Sequence, residues 1–263
     1  MVRFRRTRLN KITHNLRENT TMTKKLILST ATLALLAGAA FAQDVVRLGT
    51  EGAYPPYNFI NDAGEIDGFE RELGDELCAR ASLTCEWVTN DWDSIIPNLV
   101  SGNYDVIIAG MSITEERDQV IDFTQNYFPA ASSAYVGLSD DADTTGGVIA
   151  AQVSTVQASF VASSGATLLE FATPEETIQA VRDGVADAVL ADFDYLAPVV
   201  EASGGELSFV GDRVPLGGGV GLGIRESDNA LRDALDAAIG SMKEDGTLNE
   251  LLVKWFDPAP ELF

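Results

Sequence analysis

Arg117 and Ser112 are the residues of this chain whose types and spacing most directly offer chemistry. A guanidinium is a planar fork that can hold a carboxylate through two parallel hydrogen bonds. Ser112 stands five residues earlier, at a predicted strand-to-helix turn, where a hydroxyl and free helix N–H groups favour an anion. Pairing of Arg117 with Glu115, Glu116 or Asp118 is an equally good reading of the residues alone. Cations are scarce around it. From Gln43 onward the chain has ten Lys and Arg against 39 Asp and Glu, a net charge of −29. The only histidine, His14, lies earlier, so the region beyond residue 42 has no Ser-His-Asp or Cys-His nucleophile system and no His-ligated zinc. A surface this acidic is a poor ligand for nucleic acid and is repelled by anionic membranes. Asp140-Asp141-Ala142-Asp143 lacks the later ligand of a calcium loop and reads as solvated. Neither a cofactor nor a metal is expected.

Residues 1–42 have the opposite character, with eight basic residues against one acid, a net of +7. Met22-Thr23-Lys24-Lys25 precedes an apolar run, Leu26 to Ala40, and then Ala40-Phe41-Ala42. A cationic start, a short apolar stretch and an A-x-A site predict a secretory signal peptide over 22–42, too short for a spanning helix. Residues 1–21 have no apolar period, and Met22 is the expected start of translation. Ala39 stands where a lipoprotein would have its lipidated cysteine, so a released protein in a Gram-negative periplasm is expected. Cys78 and Cys85, the only two cysteines, fit an oxidising compartment and read as a disulfide joining a helix end to the next strand. A redox pair would favour C-x-x-C spacing and a nearby cation.

The elements that must position Arg117 follow from periodicity. Val45 to Gly49 reads as a short strand, and Glu51 to Asn58 as a turn-rich stretch. Phe69, Leu73 and Leu77 recur every four residues and mark an amphipathic helix. Leu83, Cys85 and Trp87 alternate as a strand. Trp92 to Val100 reads as a helix, Val106 to Ala109 as a buried strand, and Glu115 to Ile121 as another helix. The pattern restarts at Gly146 to Ala150, with helices over Val156–Ser164 and Pro174–Asp183 and a strand at Ala188-Val189-Leu190. A β-α-β order in both halves predicts an α/β fold of two similar lobes, each a mostly parallel sheet with helices on both faces. The glycines of Leu216 to Gly223 do not fit a dinucleotide loop; they read as a β-like crossing between lobes, where Gly permits close packing and hinge rotation. A final amphipathic segment, Asn229 to Phe256, returns to the first lobe.

An ordered set of segments then resembles a known family. These are Gly49-Thr50-Glu51-Gly52-Ala53-Tyr54-Pro55-Pro56-Tyr57, Asp67-Gly68-Phe69-Glu70, Trp92-Asp93-Ser94-Ile95-Ile96-Pro97 and Gly110-Met111-Ser112-Ile113-Thr114-Glu115-Glu116-Arg117. Asp187-Ala188-Val189, Asp192 and Lys243-Glu244-Asp245-Gly246-Thr247 follow. Over nearly all of residues 44–257 the chain is similar to the periplasmic amino-acid-binding proteins of ABC importers (solute-binding protein family 3), in the branch for polar and basic amino acids and opines. The resemblance implies the type II periplasmic-binding-protein fold, with two crossing strands as hinge. It places lobe one at 43–132 plus 220–263 and lobe two at 133–219.

The same resemblance implies site residues. Arg117 and Ser112 would hold the ligand's α-carboxylate, completed by Thr155 and neighbouring backbone N–H groups of the second lobe. Here Ser154 replaces the usual Gly and Val156 a second Thr. Asp192 matches the ammonium-binding carboxylate and doubles as a candidate N-cap. Tyr54 and Trp92 match aromatic walls that flank the ligand's stem, with ordinary core packing as their plainer reading. Glu51 matches a position where an acid meets a distal amino or guanidino group; an unpaired buried carboxylate is costly, so a cationic ligand is favoured. Ala109 and Gly110 stand where related binders often have Ser, leaving room for a larger ligand such as an opine. The expected function is binding by lobe closure and delivery to an inner-membrane ABC permease, by a monomer without enzymatic activity. The alternative is a cyclohexadienyl dehydratase on the same scaffold, with Glu51 or Asp192 as general acid.

Overall fold

The computed structural model describes residues 45–263; the expectations for residues 1–21 and for the signal peptide at 22–42 lie outside the described residues. Two five-stranded sheets organise the rest. In the first, β1 (Val46–Thr50) pairs in parallel with Cys85–Thr89 on one side and with Val106–Ile107 on the other. Val220–Ile224 follows, antiparallel to Val106–Ile107 and to the edge strand Asp122–Phe128. In the second, Val148–Gln152 lies parallel to Thr167–Phe171 and Ala188–Asp192. Ser132–Gly137 runs antiparallel to Ala188–Asp192 and to Ser208–Pro215.

Four strands of each sheet therefore point one way and one is reversed, which refines the expected mostly parallel sheet. The reversed strand is in each case the one by which the chain enters from the other sheet: Ser132–Gly137 after Phe128, and Val220–Ile224 after Pro215. An entering strand starts at the gap between sheets and runs away from it, while the parallel strands end there.

The connecting helices cover both faces. Helix α1 (Phe69–Arg80) has acids in its first turn and Arg80 in its last, matching the helix dipole. Its Phe69, Leu73 and Leu77 share one core with Leu235, Ile239 and Met242 of Asn229–Asp245 and with Leu248 and Leu252 of Thr247–Trp255. The opposite face packs Ile95, Leu99, Tyr104, Ile107 and Ile121. In the second sheet, Val189 joins the cluster of Ile178 and Val181, whereas Ala188 and Leu190 join that of Val161. That is the period-2 alternation of a strand buried on both faces. Cys78 and Cys85 form the expected disulfide, fastening α1 to its following strand.

Several boundaries differ from the periodicity. Trp92–Ser94 is a 3-10 turn before the α-helix Ile95–Val100. The helix expected over Glu115 to Ile121 stops at Asp118, because the strand claims the chain from Asp122. The segment from Asn229 divides into two helices at Gly246, whose φ of 85° suits glycine and ends the first. Within the turn-rich stretch lies a small antiparallel meander of Ala53–Tyr54, Asn58–Ile60 and Ile66–Asp67, unmarked by any alternation. The glycine-rich crossing does pack closely: a Cβ on Gly217 would sit 2.8 Å from Ser112 Cβ, and Ile113 donates to Gly219 O at 2.8 Å. Among the described residues no helix is long and apolar enough to cross a membrane.

Candidate functional site

The parallel strands of both sheets end at the gap, where α/β folds place ligands. Glu51 follows Thr50, Trp92 follows the strand ending at Thr89, and Ala109 to Arg117 follow Ile107. From the second sheet come Gln152 and Asp192 at their strand ends, and Thr155 in the next loop. All eight predicted residues, Glu51, Tyr54, Trp92, Gly110, Ser112, Arg117, Thr155 and Asp192, line one cavity, together with Ala109, Gln152, Val156 and Gln157. Its empty volume is about 340 Å³, part of it open to solvent.

Arg117 sits on the four-residue helix Glu115–Asp118, capped by Thr114, whose hydroxyl accepts the Arg117 N–H at 3.2 Å. Among the described residues its guanidinium makes no ion pair with Glu115, Glu116 or Asp118. It donates instead to Ser112 O at 2.8 Å and, across the gap, to Ser154 O at 3.2 Å, and lies 5.4 Å from the Trp92 ring centroid. Desolvation pulls it down to about 10, so it remains cationic at pH 7. The residue is thus a shielded positive charge without a bonded carboxylate, fitted for an anion. Trp92 is buried in the cluster of Ile95 and Tyr104 and also lines the cavity.

Asp192 stands at the N-cap of Phe193–Ala202, but its side chain makes no capping bond. Its oxygens accept from Tyr54 Oη at 2.8 Å and from Gln157 Nε2 at 2.8 Å. Desolvation raises its carboxyl, opposed by Tyr54, Arg117 and Gln157. Tyr54 reaches out of the first lobe for this bond and stacks on Tyr195 of the second, centroids 4.3 Å apart at 11°. Glu51 accepts from Gln152 Nε2 at 2.6 Å; desolvation raises it to about 7 against that bond, and Asp91 adds to the rise. One wall therefore carries a cation and an acid and the other a second acid, the pattern that an amino acid with a cationic side chain complements.

The Thr155 hydroxyl is already committed. It donates to Gln152 O at 2.7 Å and, as the N-cap of Val156–Ser163, accepts from Ala158 N at 3.1 Å. What this loop has left for an anion is chiefly the N–H groups of the first helical turn, which have no intrahelical acceptor. Ser154 adopts φ 60°, the left-handed region that explains why glycine is usual there. Gly110 has φ 61°, and a Cβ on it would be 3.5 Å from the Tyr54 ring, so backbone conformation rather than space favours glycine.

Sequence reasoning did not place Gln152 or Gln157 in the site; the substitutions at Ser154 and Val156 weaken the family match at Gln157. Both are polar and only 9% and 5% exposed. Their signal is position: Gln152 closes an apolar strand, and Gln157 lies in the first turn of the following helix, whose other polar residues are small serines.

Residues 46–258 match the family described as bacterial extracellular solute-binding proteins, family 3. The chain is 32% identical over 254 residues to the histidine-binding periplasmic protein of Escherichia coli (strain K12), covering 89% of this chain and 97% of that one. It is 31% identical over 284 residues to the octopine-binding periplasmic protein of Rhizobium meliloti, covering 86% and 95%. A solved structure of a periplasmic His/Glu/Gln/Arg/opine family-binding protein from Silicibacter pomeroyi in complex with lysine is 73% identical, with a TM-score of 0.82, covering 83% of this chain and all of that one. A match over the whole two-sheet region, with relatives alike along nearly their full length, makes this chain a member of the bacterial extracellular solute-binding proteins, family 3.

Proposed function

We propose that this protein is the periplasmic binding component of an amino-acid ABC importer, capturing a basic or polar amino acid or a related opine by closure of two lobes. The observation that carries the reading is the shielded, unpaired guanidinium of Arg117 in one cavity with the carboxylates of Asp192 and Glu51. Arg117 and Ser112 take the ligand's carboxylate from the first lobe; Asp192 takes the α-ammonium from the second. Glu51 takes the cationic end group, between the walls of Tyr54 and Trp92. The lobes are residues 43–132 plus 220–263 and residues 133–219, a division that the two sheets support. A ligand held by both sides stabilises the closed form by its greater affinity for it. The loaded closed form is then what an inner-membrane permease would recognise. Lysine, as the ligand of the 73% identical neighbour, is the first compound to test.

A carboxyl near 7, such as Glu51, also suits a general acid, which keeps the dehydratase reading second. Capture of an amino acid needs no bond to be broken, and the cation and both acids are accounted for by its three charged groups. Calorimetry with lysine decides. Wild type is expected to bind, and Arg117→Ala to lose at least about a hundredfold in affinity while keeping its circular dichroism. Unchanged affinity in that variant would sink the assignment, and turnover of prephenate would establish the enzyme instead.

A further inference from the structure

Glu70 does not line the cavity, yet it bonds to the backbone that does. Its side chain is in the first turn of α1 and 0% exposed. Oε1 accepts from Gly110 N at 2.6 Å and from the Tyr127 hydroxyl, and Oε2 accepts from Asn58 Nδ2 at 2.6 Å. Asn58, also 0% exposed, accepts from Gly52 N at 2.7 Å through Oδ1. Gly110 is part of the cavity wall, and Gly52 directly follows Glu51.

Donor and acceptor chemistry fixes the direction of this chain of bonds. A backbone N–H can only donate, so Gly52 requires the oxygen of the Asn58 amide. The Asn58 nitrogen must then face residue 70, which must accept. Gly110 and Tyr127 also present donors there, and only a carboxylate takes all three without offering a hydrogen of its own. Burial raises this carboxyl, with Tyr127, Gly110 and Asn58 opposing the rise. Its place at a helix N-terminus also favours the anion.

We propose that Glu70 is a positioning residue for side-chain selectivity: through Asn58 and Gly52 it fixes the backbone that carries Glu51, which reads the ligand's cationic end, and it holds the cavity wall at Gly110. The inference rests on the amino-acid reading of the cavity. Arg117 and Asp192, which hold the groups common to all α-amino acids, have no bond to this network. Disturbing it therefore costs lysine more than norleucine, which has the same stem without the terminal ammonium.

The test is Glu70→Gln, alone and combined with Asn58→Asp. In the single variant the introduced NH2 meets a donor on either side; turning Asn58 over to relieve it sets an NH2 against the Gly52 N–H. In the double variant the introduced carboxylate accepts from both Gly52 and the introduced amide, whose oxygen still accepts from Gly110 and Tyr127, so the pattern is restored. The lysine-to-norleucine affinity ratio is expected to fall about tenfold in the single variant and to recover in the double. Amide hydrogen exchange without ligand is expected to speed up at Gly52 and Gly110 and to recover likewise. Equal losses for both ligands, a ratio that the second substitution does not restore, or unchanged protection of the two amides would overturn the proposal. If the single variant does not fold, a folded double variant with the wild-type ratio supports it and one with a collapsed ratio overturns it. Failure of wild type to bind lysine would defeat the cationic reading of the cavity itself, while the exchange measurement still decides whether Glu70 orders this backbone.

Discussion

Glu51 should weaken the fold that it equips. Its carboxyl is raised from an ordinary 4.5 to about 7, chiefly by desolvation. Relative to the unfolded chain, this costs nothing below pH 4.5, grows as pH rises through 4.5–7, and is complete above 7. A difference of this size corresponds to about 3 kcal/mol at pH 8, an upper figure because separation of the lobes would rehydrate the group. Glu51→Gln removes the charge and keeps an oxygen for Gln152 Nε2. The variant should be more stable than wild type at pH 8, by up to roughly 5–10 °C in Tm for a chain of this size, with the gap closing toward pH 4.5. Its lysine affinity should fall by at least about tenfold, through loss of a charge-assisted bond. Chemical denaturation from pH 4.5 to 8.5 paired with calorimetry reads both effects. Opposite signs are the signature of a group kept for binding at the expense of stability. A variant less stable than wild type at pH 8, with lysine affinity intact, would refute both the cause assigned to the shift and the role.

Tyr54→Phe keeps the stack on Tyr195 but removes the hydroxyl that bonds Asp192; lysine affinity should fall about tenfold, and unchanged binding by calorimetry would remove Tyr54 from the site. Replacing Cys78 and Cys85 by Ala opens a short loop and should cost about 2.5 kcal/mol in urea denaturation, with lysine affinity unchanged because neither residue lines the cavity. At Asp105 burial pushes the carboxyl up, but Arg47 and Arg225 together hold it down at about 2. Its contribution is therefore present above pH 3.8 and lost as pH falls toward 2; Asp105→Asn should lower Tm at pH 7 and less so near pH 3.

The fold was legible wherever burial imposes a period. Phe69, Leu73 and Leu77 gave α1, and the apolar run at Val106 a buried strand, although that strand ends at Ile107 rather than at Ala109, because a core face forces apolar residues onto its buried positions. The meander at 53–67 was not legible, since strands of two or three residues are too short to alternate and are held by individual bonds such as Gly52 N to Asn58. Helix ends were lost for a related reason. Nothing in Gln119-Val120-Ile121 announces that the strand Asp122–Phe128 takes over the chain.

The candidate site was legible as residue types but not as a set of bonds. Arg117, scarce among acids, and the acids Glu51 and Asp192 could be named. That Asp192 leaves its cap unbonded to face Tyr54, or that the Thr155 hydroxyl donates to Gln152 O and accepts from Ala158 N, depends on rotamers that no spacing records. Gln152, Gln157 and Glu70 were harder still, because an exposed helix or loop accepts Gln and Glu at little cost and only burial makes them informative. Each becomes costly once enclosed unless it is bonded, and each is bonded to something that touches the cavity.

The net charge of −29 beyond residue 42 has a limited role in this scheme. Surface charges are screened within about 8 Å at physiological salt, so the acidic exterior adds little to the energy of a ligand enclosed between two lobes. Discrimination must come from groups that cannot rehydrate while the lobes are together. In the proposed scheme Arg117 and Asp192 serve any α-amino acid, and neither distinguishes lysine from leucine. Glu51 can, because in an enclosed site a neutral end group leaves a carboxyl that must either take up a proton or remain uncompensated. On that proposal, selectivity for cationic ligands is the cost of a mismatch at one raised carboxyl, and the buried bonds among Glu70, Asn58 and Gly52 hold the backbone beside it.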